Sequence, residues 1–326
     1  LLETIASANK NPTKYRLGWE SFPFSRLGQT LNAMSSARDD EPIFFLGTQS
    51  GGLTLMSRML KRHSQTVYCS GNRAFWAGRD EMQNLASDYL PEALRITPRG
   101  DLSNTTDGAV LHALSNSLYA SNATVELYRI RESGVSPDDI SQLRGLVTRY
   151  IRTYGFAKKA PRFVDKSQSF ILRIPLLRAA FPRARFILVT RNPWATVLSR
   201  SFGRGMSRLD RASKRSGEEI APDRLVTLQA EHWKNSLEIG LEELDSVTHL
   251  ALRFEDFLAK PEDGLRDLLA FCKLRHEAEL LPAAHHSLPP GSISGDKWYP
   301  MNLEPNEKYL RGIDRSTEIS SPNTGT

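Results

Sequence analysis

The sequence predicts an α/β fold, a central parallel sheet flanked by helices. Three observations carry this expectation. Short apolar runs recur, as in Pro42-Ile43-Phe44-Phe45-Leu46 and Arg185-Phe186-Ile187-Leu188-Val189-Thr190, and strands buried on both faces read this way. Segments with helical spacing alternate with those runs, as they do when helices cross over between parallel strands. The first strand runs straight into the glycine loop Gly47-Thr48-Gln49-Ser50-Gly51-Gly52-Leu53-Thr54.

Along the chain, residues 1–41 are mixed and turn-rich, with Trp19 and Phe22-Pro23-Phe24 as anchors. They are expected to form an N-terminal extension packed on a single domain over 42–326. After the loop, Leu55, Met56, Met59 and Leu60 give residues 53–62 helical spacing. A second short strand is expected at 66–69, then a loop-rich stretch over 70–105. Residues 107–122 and 136–155 read as helices, the second opening on Ser136-Pro137-Asp138-Asp139, a good N-terminal signal. A strand follows at 162–165, then a helix over 169–181 despite Pro175, ended by Pro182. Residues 193–204 form a helix with proline in its first turn, where a missing N–H costs nothing. Residues 205–220 read as a polar, basic loop, and 225–244 as a long helix. A strand at 249–254 and a helix at 264–272 complete the pattern before a proline- and glycine-rich tail.

Composition narrows the function classes. The 326 residues are 40% hydrophobic and 25% charged, with a net charge of +6 and a pI near 9.3. The positive balance favours an anionic ligand. The basic clusters Lys158-Lys159 and Arg211 to Arg215 lack interleaved aromatics, so no specific nucleic-acid partner is expected. Cys69 and Cys272 are the only cysteines, which excludes a disulfide framework and leaves a single bridge open. Neither they nor the seven histidines show metal-ligand spacing, so no metal is expected. No run approaches the ~20 apolar residues of a bilayer span. A cytoplasmic location is expected, with a lumenal domain lacking its anchor as the alternative; the oligomeric state is left open.

Three strand ends carry chemistry. Backbone N–H groups of a strand–glycine-loop–helix unit converge on one anion. Gly51 and Gly52 let the backbone approach it, and Ser50 and Thr54 add hydroxyls. The spacing is that of a nucleoside-triphosphatase phosphate loop, but Leu53 stands where that motif requires Lys. A glycine-rich turn that only packs helix on sheet is the alternative. Arg191 follows the clearest strand, and Ser199 lies eight residues on; an Arg fork with a hydroxyl suits a phosphate monoester. Lys166 follows the strand at 162–165 and is expected at the same sheet edge, where open α/β sheets bind ligands.

Together these residues resemble the sulfotransferase family that uses 3′-phosphoadenosine 5′-phosphosulfate (PAPS). The resemblance runs through Phe163-Val164-Asp165-Lys166, the stretch Phe181-Pro182-Arg183 to Arg191-Asn192-Pro193, and Leu252-Arg253-Phe254-Glu255-Asp256-Phe257 with Lys260-Pro261. The tyrosylprotein and carbohydrate branches look closer than the cytosolic small-molecule branch. The resemblance implies a P-loop NTPase-like sulfotransferase fold. It also implies sulfuryl transfer from PAPS to a hydroxyl or amine acceptor. The 5′-phosphosulfate would lie in the loop of Gln49, Ser50, Gly51, Gly52, Leu53 and Thr54, and the 3′-phosphate on Arg191 and Ser199. Lys166 would stabilise the bridging oxygen. Lys297 is a weak echo of a further phosphate contact. Gln49 departs from the Arg or Lys usual in that loop, as Gly52 and Leu53 do from the usual Thr or Ser.

A general base should take the acceptor's proton. Asp80 and Glu81 are the first choice and His63 the second; an acid-rich helix start explains the pair equally well. Glu255 and Asp256 read as structural supports. Trp76, Trp194 and Trp298 are candidates for lining an adenine or acceptor pocket, or for packing. Asn104 and Asn122 open sequons that matter only in a secretory compartment. A kinase-like enzyme on the same scaffold and a non-catalytic sulfotransferase-like binding protein are the competing readings.

Overall fold

The computed structural model describes residues 40–69, 81–95, 118–155, 158–198, 213–214, 217, 219, 221–277 and 280. All lie in one compact unit, Ala37–Thr326. Five strands form its sheet: β1 (Ile43–Gly47), β2 (Thr66–Tyr68), β3 (Arg162–Asp165), β4 (Arg185–Thr190) and β5 (His249–Arg253). Their order is β2-β3-β1-β4-β5, and every pairing is parallel. The described helices are α1 (Leu53–Met59), α2 (Met82–Leu85), α3 (Asn122–Tyr128), α4 (Pro137–Gly155), α5 (Ile174–Ala180), α6 (Pro193–Leu198), α7 (Pro222–Leu244), α8 (Phe254–Ala259) and α9 (Pro261–Phe271).

The central position of β1 explains its unbroken apolar run, since all five residues are buried. Alternate side chains enter two separate cores. Phe44 and Leu46 join α4, α5 and α7 on one face, where the Phe44 ring stacks on Phe186 at 5.8 Å. Ile43 and Phe45 join α1, α8 and α9 on the other. Both faces are therefore covered, which is why the strands read as continuous rather than alternating. Among the described residues no helix is long and apolar enough to cross a membrane.

Several elements differ from the sequence expectation. β2 ends at Tyr68, one residue early. The single helix expected over 169–181 is a 3-10 turn, Gln168–Leu172, and then α5. The break falls at Arg173, with φ −131° and ψ 21°. Its guanidinium takes the Ser169 carbonyl, the acceptor its own amide would use in a continuous helix, and Pro175 sits where a new first turn tolerates it. The strand expected through Phe254 stops at Arg253, and Phe254 opens α8. Most of the helix expected at 107–122 lies outside the described residues; 118–120 form a 3-10 turn. The unpredicted α3 follows, capped where Thr124 N–H donates to Ser121 Oγ at 3.2 Å.

Candidate active site

The carboxyl ends of β3, β1 and β4 are neighbours, with Phe44 beside Asp165 and Gly47 beside Val189. From β1 the chain turns sharply: Gly51 N–H donates to Thr48 O at 3.1 Å, and the Leu55 and Met56 amides donate to Gly52 O at 3.0 and 3.3 Å. The amides of Gly52, Leu53 and Thr54 enter none of these bonds among the described residues. Gly52 is required on two counts. Its φ is +93°, and a Cβ there would lie 2.1 Å from Phe254 Cδ2. Leu53 is 2% exposed and gives its side chain to the core, so it can serve a ligand only through its backbone.

Arg191 leaves the end of β4 and reaches the loop. Its Nη1 donates to Ser50 O at 2.7 Å, and its guanidinium lies 5.2 Å over the Phe254 ring. Phe254 thus supports Gly52 and Arg191 together. The next residue, buried Glu255, accepts from Asn192 N–H at 2.8 Å. Asn192 Oδ1 in turn accepts from Ala195 N–H at 3.2 Å at the start of α6. The β5–α8 junction braces both loops.

From β3, Lys166 is buried and pairs with Glu81. Asp165 organises the segment that carries this glutamate. Its carboxylate accepts from Met82 N–H and from Ser167 N–H, each at 2.7 Å. Burial pushes the Asp165 carboxyl up to about 6, against the opposing pull of those two amides. Gln83 N–H donates to Ser167 Oγ at 3.1 Å, and Gln83 Oε1 accepts from Ser169 N–H at 3.0 Å. Residues 81–83 are clamped onto the chain that follows β3.

A cavity open to solvent lies beside the loop. Thr48, Gln49, Gln83, Gln168 and Ser169 form one part of its wall. Tyr119, His232 and Ser236 form another. The Tyr119 and His232 rings stack at 4.9 Å, and Tyr119 N–H donates to His232 Nδ1 at 3.0 Å. Buried Arg173 holds this wall: Nε donates to Ala93 O and Nη1 to Tyr119 Oη, both at 3.2 Å.

Of the residues expected at the site, the structure places the glycine loop, Lys166, Glu81 and Arg191 at this edge. Asp80, Ser199, Lys297, Trp76 and Trp298 lie outside the described residues. Trp194 is 62% exposed. His63 is corrected as a base candidate. It sits before β2, at the amino end of the sheet, with Nε2 bonded to Arg275 O at 2.7 Å and Nδ1 accepting from Gln65 N–H at 3.0 Å. Both ring nitrogens are engaged, and desolvation lowers its pKa. Cys69 and Cys272 are both buried, and no disulfide bridge joins them. The residues missed are Gln83, Gln168, Ser169, His232 and Ser236. Gln168 and Ser169 follow Lys166 closely enough to have been suspected; nothing local marks the other three.

Comparison with curated protein sequences finds no match. Among solved structures, the chain is similar to the sulfotransferase domain from the curacin biosynthetic pathway, at 21% identity over 85% of this chain and 97% of that one, with a TM-score of 0.45. It is also similar to a sulfotransferase of Mycobacterium avium, at 14% identity over 90% and 80% of the two chains, with a TM-score of 0.49. A sequence model described as the Sulfotransferase family matches residues 42–278. That match takes in the glycine loop, Lys166, Arg191 and the β5–α8 junction, and the chain belongs to the sulfotransferase family.

Proposed function

We propose that the chain transfers a sulfuryl group from PAPS to a hydroxyl or amine acceptor. The observation that carries this reading is the meeting of loop amides, Lys166 and Arg191 at three adjacent strand ends, with the Glu81 carboxylate on Lys166. These residues fit an anionic donor. The Gly52, Leu53 and Thr54 amides are available to anionic oxygens, and two cations flank the loop. Bound PAPS supplies the sulfuryl group: its sulfur–oxygen bond to phosphate breaks, one to the acceptor oxygen or nitrogen forms, and the acceptor proton passes to Glu81.

In this reading Gln49, Ser50, Gly51, Gly52, Leu53 and Thr54 cradle the 5′ end, the last three chiefly through their amides. Arg191 and Ser199 take the 3′-phosphate, with Lys297 as a further contact. Lys166 stabilises charge on the bridging oxygen, and Glu81 acts as general base, with Asp80 beside it in sequence. A kinase-like reading finds no support here, because the Leu53 side chain is committed to the core.

Thermal-shift titration provides the test. Adenosine 3′,5′-bisphosphate should stabilise the protein and ATP with magnesium should not; the reverse pattern overturns the reading. Bisphosphate binding without turnover across an acceptor screen would instead identify a binding module.

A further inference from the structure

We infer that the cavity beside the glycine loop is the acceptor subsite, and that it selects an uncharged, polyhydroxylated acceptor through its hydroxyls. The inference rests on the sulfuryl-transfer reading above and narrows it from hydroxyl or amine to hydroxyl. Two independent observations support it.

The first is the chemistry of the wall. Gln49, Gln83 and Gln168 offer amides, and Thr48, Ser169 and Ser236 offer hydroxyls. Among the described lining residues none is Asp, Glu, Lys or Arg. A carboxylate, sulfate or ammonium held against this wall, away from the hydroxyl presented to Glu81, would lose hydration without gaining a counter-ion from the wall. A neutral polyol loses only hydrogen bonds that amides and hydroxyls return.

The second is Ser169. The residue is 5% exposed, and its Oγ is buried with no hydrogen-bond partner among the described residues. Its backbone is fixed, because Ser169 N–H donates to Gln83 Oε1 at 3.0 Å. Gln83 Nε2 in turn reaches Gln168 Oε1 at 3.4 Å. A buried hydroxyl without a partner is unfavourable; Ser169 lines the cavity, and rotation of its Oγ toward the cavity lets a ligand hydroxyl relieve it. His232 commits Nδ1 to Tyr119 N–H, so this nitrogen is no proton acceptor for the ligand. In the reaction the acceptor oxygen forms its bond to sulfur, the donor phosphate keeps its bridging oxygen, and the acceptor proton leaves through Glu81.

Three methyl glycosides on one ring test this with labelled PAPS: methyl glucoside, methyl glucosiduronate and methyl glucosaminide. The neutral glycoside should show kcat/KM at least about tenfold above each charged one, the cost of desolvating an unpaired charge being well over one tenfold step. Ser169→Ala should raise KM for it about threefold to tenfold, the worth of one hydrogen bond. Its kcat and its affinity for adenosine 3′,5′-bisphosphate should stay close to wild type. Gln168→Glu keeps the acceptor oxygen for Gln83 but adds a charge, and should move preference toward the glucosaminide. Equal or better transfer to a charged glycoside, no transfer to the neutral one, or an unchanged KM in Ser169→Ala overturns the inference. Failure to bind the bisphosphate overturns the sulfuryl-transfer reading instead.

Discussion

Replacing Gly52 by Ala puts the loop's construction to a direct test. The new Cβ would stand 2.1 Å from Phe254 Cδ2 and 2.6 Å from Cε2, where ordinary contact begins at 3.4 Å. The ring cannot retreat freely, because it is buried in the core formed by α1, α8 and α9. Overpacking of this kind costs about 1–3 kcal/mol. A side chain at φ +93° adds about 1–2 kcal/mol of backbone strain. The total is about 2–5 kcal/mol, divided between fold stability and loop geometry. A shift of Phe254 also disturbs Arg191, whose guanidinium lies on that ring. Calorimetric titration with adenosine 3′,5′-bisphosphate should show affinity down by at least about 30-fold if 2 kcal/mol falls on the loop, and urea unfolding should report the remainder. Gly145→Ala is the control: nothing lies within 4 Å of its Cβ, and alanine in mid-helix should stabilise by about 1 kcal/mol. A Gly52→Ala protein with wild-type affinity and wild-type unfolding midpoint would refute the argument.

Four further outcomes are expected. Glu81→Gln should lower kcat by about 100-fold or more with little change in bisphosphate affinity, read from steady-state rates beside titration. Arg191→Ala should weaken the bisphosphate by about tenfold to a hundredfold, the worth of a charge-assisted bond, and weaken a 5′-phosphate nucleotide much less. Asp165, with its carboxyl raised to about 6, should give an acid limb in kcat: below about pH 6 the protonated oxygen no longer accepts from an amide, and the Glu81 segment loosens. Its stability contribution runs the other way, greatest in acid and lost as pH rises through about 6; Asp165→Asn should flatten the kcat limb. His63 has a depressed pKa, so its stabilising contribution is present above 6.5 and lost as pH falls below that value. His63→Gln should remove that acid-side loss from denaturant midpoints while leaving kcat unchanged.

The parts of the fold that were legible in the sequence are those where local signals and burial agree. β1 and β4 are buried on both faces and announce themselves as apolar runs; α4 announces itself by Ser136 and the acids Asp138 and Asp139 in its first turn. The illegible parts depend on distant partners. Whether residues 169–181 form one helix or two turns on where the Arg173 guanidinium goes, and its acceptors include Ala93 O, 80 residues away. The strand-to-helix change at Phe254 left a trace in Glu255 and Asp256, acids in a first turn, but the apolar Phe254 concealed it. The same holds at the site. The glycine loop is contiguous and readable, whereas Glu81 and Lys166, 85 residues apart, could be suggested singly but not paired. The cavity wall draws on α7 and the turn before α3, which only the tertiary packing brings together.

Strand order has a consequence for how such a chain can change. β3 lies beside β1 in space, yet β2, α4 and more than a hundred residues separate them in sequence. Sheet spacing, at ~4.8 Å per strand, sets the distance between Lys166 and the glycine loop, whatever the length of the crossover. The crossover can therefore vary in length without moving the chemical groups relative to each other, provided α4 still covers the sheet and residues 81–83 are still delivered to the end of β3. Variation in what the protein accepts can accumulate in that interval, while the three strand ends keep their register.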